Sequence, residues 1–177
     1  MPRLTQKNEL IAALLERGQY AAALPLAKDA LFLEITEGPT HDVCAVYFHL
    51  ALAHHGMEEY EEAEACYKRV LNLEAALLGL GHSNSSSTLE CLGVLYLDMG
   101  RYEDAEEKLR RVPTPDEFTK TRILTHRYEA LWLQGKKGEA TKAIAHFNRL
   151  HGLTTGCQID IFRDNGVPRL ARLRLLA

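Results

Sequence analysis

Leu92-Gly93-Val94-Leu95-Tyr96-Leu97-Asp98-Met99-Gly100-Arg101-Tyr102-Glu103-Asp104-Ala105 is the stretch on which the fold turns. Leu89, Leu92, Leu95 and Tyr96 fall at helical spacing, and Gly100 ends that helix at a tight turn. An aromatic follows two residues later, and then an alanine inside a second helix. The same motif recurs as Gly18-Gln19-Tyr20-x-x-Ala23, as Tyr60-Glu61-Glu62-Ala63 and as Gly135-x-x-Gly138-Glu139-Ala140. Alanines 23, 63, 105 and 140 stand 40, 42 and 35 residues apart. Repetition at that period signals stacked supersecondary units rather than one closed globule. Stacked helix pairs create an extended groove suited to another chain.

Each repeat reads as two antiparallel helices. Helix A of the first runs from about Thr5 to Arg17, with Leu10, Ile11, Leu14 and Leu15 at helical spacing. Helix B runs from about Tyr20 to the mid-thirties, with Pro25 near its start. In the second repeat, Asp42 is the expected N-cap of a helix carrying Val46, Leu50 and Ala53, and helix B runs from Glu59 to about Leu78. Residues 79–87 read as a loop feeding the next helix. Thr114, Pro115 and Glu117 predict a capping box that opens the fourth repeat. The repeats are expected at about 5–37, 42–78, 86–112 and 116–152. Residues 1–156 thus form a repeat domain and 157–177 a C-terminal cap or tail. In that tail, Gln158–Phe162 alternates like an extended segment, Asp164-Asn165-Gly166 reads as a turn, and Pro168 is expected to open a last helix.

The chain has 177 residues, enough to hide about 70 % of its unfolded surface. No run approaches the roughly 18 apolar residues of a membrane span, and the first residues carry no secretory pattern. The four cysteines are scattered and never form CxxC, which fits reduced thiols and a cytoplasmic location. Net charge is −3, but residues 1–116 carry 10 Lys/Arg against 19 Asp/Glu, whereas residues 117–177 carry 11 against 5. Such polarity steers charged partners or favours contacts between copies.

The motifs resemble tetratricopeptide repeats, and the long spacing resembles the kinesin-light-chain type. Ala23-Leu24-Pro25-Leu26-x-Lys28-x-Ala30-Leu31 is similar to that family's helix B. Leu78-Gly79-x-x-His82 with Leu89-x-x-Leu92-Gly93 is similar to its inter-repeat loop and next helix A, and Gly38-Pro39-x-His41 is a shortened form of the same loop. Three positions depart from the pattern: Glu58 stands at the second turn glycine, Lys137 at the fourth turn aromatic, and Arg127 at an apolar helix-A position. The resemblance implies an all-α, right-handed superhelical solenoid of about four helix pairs with a C-terminal cap.

The resemblance also places helix A of each repeat on the concave face. Its expected lining is Asn8 and Ala12; Phe48, His49, Leu52 and His55; Ser87, Glu90, Cys91 and Val94; and Arg122, Thr125, His126 and Glu129. This mix of apolar, imidazole and charged groups suits a short peptide with apolar anchors. Some relatives clamp a terminal carboxylate, for which Asn8 and Arg122 are the candidates here. His49, Cys91 and His126 share one repeat position, but helices about 8–10 Å apart cannot bring all three within the roughly 2.0–2.3 Å of a zinc bond. No metal or cofactor is therefore expected. No GxSxG, HExxH or phosphate-cradling loop appears, and no basic–aromatic pattern for nucleic acid. The expected function is a noncatalytic adaptor that binds a peptide or partner helix in its groove, with no nucleic-acid or membrane partner. Two alternatives are a chaperone for a secreted or assembling subunit and a scaffold that associates with itself.

Overall fold

The computed structural model describes residues 2–32, 40–78, 85–114, 116–150, 157–164 and 167–175. The described chain contains α1 (Pro2–Glu16), α2 (Tyr20–Leu31), α3 (His41–Gly56), α4 (Tyr60–Leu78) and α5 (Ser85–Asp98). It continues with α6 (Tyr102–Arg110), α7 (Glu117–Leu133), α8 (Lys137–Leu150), β1 (Cys157–Asp164) and β2 (Val167–Leu175). The repeat region is all-α, as the helical spacing of its apolar residues predicts. Contacts divide the chain into two units, Met1–Cys91 and Leu92–Ala177, and the boundary falls inside α5.

In the N-terminal unit α1 folds back on α2, and both pack on α3. Leu4, Ile11, Ala23, Ala27, Ala30, Val46 and Leu50 form the core there. Ala23, Ala27 and Ala30 lie on one stripe of α2, where a small side chain lets helices approach closely. Pro25 is the sixth residue of α2, beyond its first turn. Its ring removes one helical donor, but the residue is exposed, so water can serve the stranded carbonyl.

Four turns between paired helices are closed in one way. Gly18 N donates to Leu15 O and Gln19 N to Leu14 O, the two bonds of a Schellman cap. The same pair recurs at Glu58 and Glu59, at Gly100 and Arg101, and at Gly135 and Lys136. The cap requires a left-handed residue. Gly18, Gly100 and Gly135 supply it at φ +70, +73 and +76°, and Glu58 is forced to φ +62°. Gly56 has a different task. A Cβ there would come within 2.5 Å of the Tyr20 ring, so the glycine lets helix α3 pass under the first turn's aromatic.

In the C-terminal unit a Cβ on Gly93 would meet Leu109 Cγ at 2.6 Å, which fixes the close packing of α5 on α6. Helix α6 packs on α7, and α7 on α8. The two departures from the repeat pattern that fall in this unit both have partners. Arg127 Nη2 donates to Glu106 Oε1 across α7 and α6 at 2.8 Å, and the Lys137 ammonium sits 5.5 Å from the centre of the Trp132 ring.

Four sequence expectations are corrected. Thr40, not Asp42, caps α3, its hydroxyl accepting from Val43 N. Asp116, not Thr114, caps α7, accepting from Thr119 N at 2.8 Å. Pro168 does not open a helix, because residues 167–175 form a strand antiparallel to β1, with Ile159 opposite Leu173 and Asp160 opposite Arg172. The extended segment expected at Gln158–Phe162 lies within β1. Of the loop expected at 79–87, Ser85, Ser86 and Ser87 are instead helical and open α5, while residues 79–84 with His82, Asn165 and Gly166 of the expected turn, and Gly38-Pro39 lie outside the described residues.

Candidate protein-binding surface

Phe48, Leu52 and His55 follow one another on α3 at intervals of four and three, which puts them on one helix face. All three are half-buried, as is neighbouring His49. Behind them stands Tyr67 of α4, fully buried. Its ring meets Phe48 edge-on with centroids 5.9 Å apart, and His55 at 6.5 Å. His55 also meets Tyr60 edge-on at 6.1 Å. Edge-to-face contacts hold such rings in fixed mutual orientation. Burial, with the Cys91 thiol beside it, pushes the Tyr67 phenol well above its ordinary range. Burial also lowers His49, which keeps that imidazole neutral at physiological pH.

The remaining positions expected to line the groove in this unit are more polar. Asn8 is buried, and its amide donates to the Asp42 carbonyl at 3.2 Å, tying α1 to the start of α3. Ala12 is half-buried, Ser87 exposed, and Glu90 and Cys91 half-buried. Beside the stripe, His54 is buried, and its Nδ1 lies 2.5 Å from Glu59 Oε2, bracing the turn that holds Glu58. Cys44, Cys66 and Cys91 carry free thiols. Burial and the Glu62 carboxylate raise the Cys66 thiol against the opposing pull of Lys28.

The C-terminal unit treats the positions expected to line the groove differently. Val94, His126 and Glu129 are all buried, Thr125 is half-buried, and only Arg122 is exposed. Thr125 Oγ1 is turned to its own helix, donating to Thr121 O. Burial, helped by the Arg122 charge, lowers His126 to about 4, and burial raises Glu129 to about 7. His126 is therefore neutral at pH 7, and Glu129 holds its proton well above the ordinary carboxylate range. No group of three or more metal-ligating side chains occurs among the described residues. No described helix is long and apolar enough to cross a membrane.

Sequence reasoning missed the backing rings. Tyr67 reads as an ordinary core residue of helix B, and Tyr60 as a turn aromatic. The signal that could have found them is their spacing of seven on one helix, opposite the Phe48–His55 stripe.

Residues 42–112 match the family description "Tetratricopeptide repeat". Tetratricopeptide repeats thus occupy residues 42–112 of the chain. Its fold is that of kinesin-light-chain-like repeats. Tetratricopeptide-like repeats of a Podosopora anserina kinesin light chain superpose with a TM-score of 0.74 at 18 % identity, covering 85 % of this chain and 75 % of that one. BtubC (BKLC) from P. vanneervenii gives 0.77 at 17 %, covering 91 % and 68 %. The MamA protein gives 0.65 at 16 %, covering 84 % and 73 %. Among curated proteins none matches the sequence. In the repeat's terms, α1, α3, α5 and α7 are the A helices, and α2, α4, α6 and α8 the B helices.

Proposed function

We propose that the chain is a noncatalytic adaptor that binds a peptide or partner helix on the A-helix face of its repeats. The observation that carries this reading is the Phe48–Leu52–His55 stripe. Its side chains are half-open to solvent, yet held by a buried aromatic behind them. Core side chains are normally closed over, and isolated surface side chains are normally unsupported. A stripe that is supported but open is preorganised for an apolar ligand, because little side-chain entropy remains to be lost on binding. In the C-terminal unit His126 and Glu129 are buried on their own helix.

The test is a Phe48→Glu, Leu52→Glu double variant compared with wild type in capture from the source lysate. Circular dichroism provides the check that both remain folded. A partner lost only from the folded variant supports the A-helix face. A partner retained by both moves binding elsewhere.

A further inference from the structure

The ring cluster of the N-terminal unit has a chemical bias of its own. Phe48, His49, His55, Tyr60 and Tyr67 gather π-faces and ring edges around one patch. No Lys or Arg occurs among the lining positions of this unit, and Glu90 is their one carboxylate. Glu58, Glu61 and Glu62 are exposed within two residues of Tyr60. Lys68, which stands on the same helix, is already paired with Glu64 at 2.7 Å. Residues 1–91 carry 6 Lys/Arg against 13 Asp/Glu, a net −7 for the unit. The protein uses the matching attraction elsewhere, with Arg69 over Tyr47 at 5.7 Å and Arg101 over Tyr96 at 4.3 Å.

We infer that the N-terminal unit binds a cationic peptide segment, its arginine or lysine heads over the Phe48–His55–Tyr60 rings and its apolar side chains against Leu52. The inference rests on the proposed A-helix binding face and adds the charge of the ligand. A ring face attracts a cation through its quadrupole, and Arg more often than Lys makes such contacts. The surrounding carboxylates raise the local concentration of cations and speed encounter, an effect that salt weakens. An acidic ligand would meet repulsion from the same groups.

Three fluorescein-labelled twelve-residue peptides provide the test: alternating Arg and Leu, alternating Ser and Leu, and alternating Glu and Leu. Fluorescence polarisation would follow binding to wild type, to Phe48→Leu and to Glu58→Gln, Glu61→Gln, Glu62→Gln. Phe48→Leu keeps the apolar volume and removes the ring. The triple change is confined to exposed side chains, so it leaves the fold intact. The expected result is that wild type prefers the Arg–Leu peptide, that Phe48→Leu weakens it about 3- to 30-fold, and that the triple variant weakens it and flattens its salt dependence. Equal binding of the Arg–Leu peptide by wild type and Phe48→Leu would overturn the cation site. Preference for the Glu–Leu or Ser–Leu peptide, lost in the Phe48→Glu, Leu52→Glu variant, would overturn the cationic preference but keep the binding face. Indifference of every peptide to that double variant would remove the face itself.

Discussion

His49 and His126 each stand nine residues before the left-handed residue of their turn, yet they meet opposite environments. In the N-terminal unit His49 sits beside the half-open stripe of Phe48, Leu52 and His55. In the C-terminal unit His126 and Glu129 are closed over, at 5 % and 6 % exposure. The equivalent of Leu52 in that unit is Glu129 itself. One unit thus has an apolar side chain where solvent still reaches, and the other an ionisable side chain where it does not. Register within a repeat fixes where a side chain starts. The elements packed around it decide whether it ends up on a surface.

The sharpest way to break this contrast is pH. Glu129 is raised from 4.5 to about 7, so the folded state holds a proton that the unfolded chain has already released. The Glu129 contribution to stability is therefore lost as pH rises from about 4.5 to 7. Glu129→Gln has nothing to ionise. It should match wild type near pH 4 and exceed it by up to about 3 kcal/mol at pH 8, by urea denaturation. His126 works in the opposite sense. It is lowered from 6.5 to about 4, so its contribution is full above pH 6.5 and is lost as pH falls towards 4. A Glu129→Gln advantage that does not change with pH would mean that the C-terminal unit is as open as the N-terminal one.

A second comparison sets the two close-approach glycines against each other. Gly93→Ala drives a Cβ into buried Leu109 and should cost about 2 kcal/mol. Gly56→Ala meets the half-buried Tyr20 ring, which can swing aside, and should cost less. Equal midpoints in urea would contradict that ordering. The smallest effect concerns the turns. Glu58→Gly relieves a left-handed side chain and should stabilise by about 1 kcal/mol, whereas Gly100→Ala should destabilise by a similar amount. Thermal melts of the two variants moving in the same direction would show that the four turns are not equivalent.

Much of the helical framework was legible because its determinants are local. Gly18, Gly100 and Gly135 mark three turns outright, and the periodic alanines mark the B helices. The Phe48–Leu52–His55 stripe follows from the same register. The caps were harder to read. Thr40 and Asp42 both suit the start of α3, and Thr114 and Asp116 that of α7, and the choice rests on backbone geometry a residue or two away. The partners of Arg127 and Lys137 were not legible, since Glu106 stands on another helix and Trp132 across a turn.

The sequence by itself determined the helix pairs, their turns and the tetratricopeptide pattern, because helical period and turn chemistry are written within a few consecutive residues. Only the tertiary structure decided that Glu58 takes the left-handed conformation, since the cap bonds impose it on whichever residue arrives there. It also decided which of the expected lining positions remain open, because burial depends on what packs opposite. It decided that residues 167–175 form a strand, too: Arg–Leu patterning serves a helix or a strand equally, and the pairing with residues 157–164 is what selects the strand.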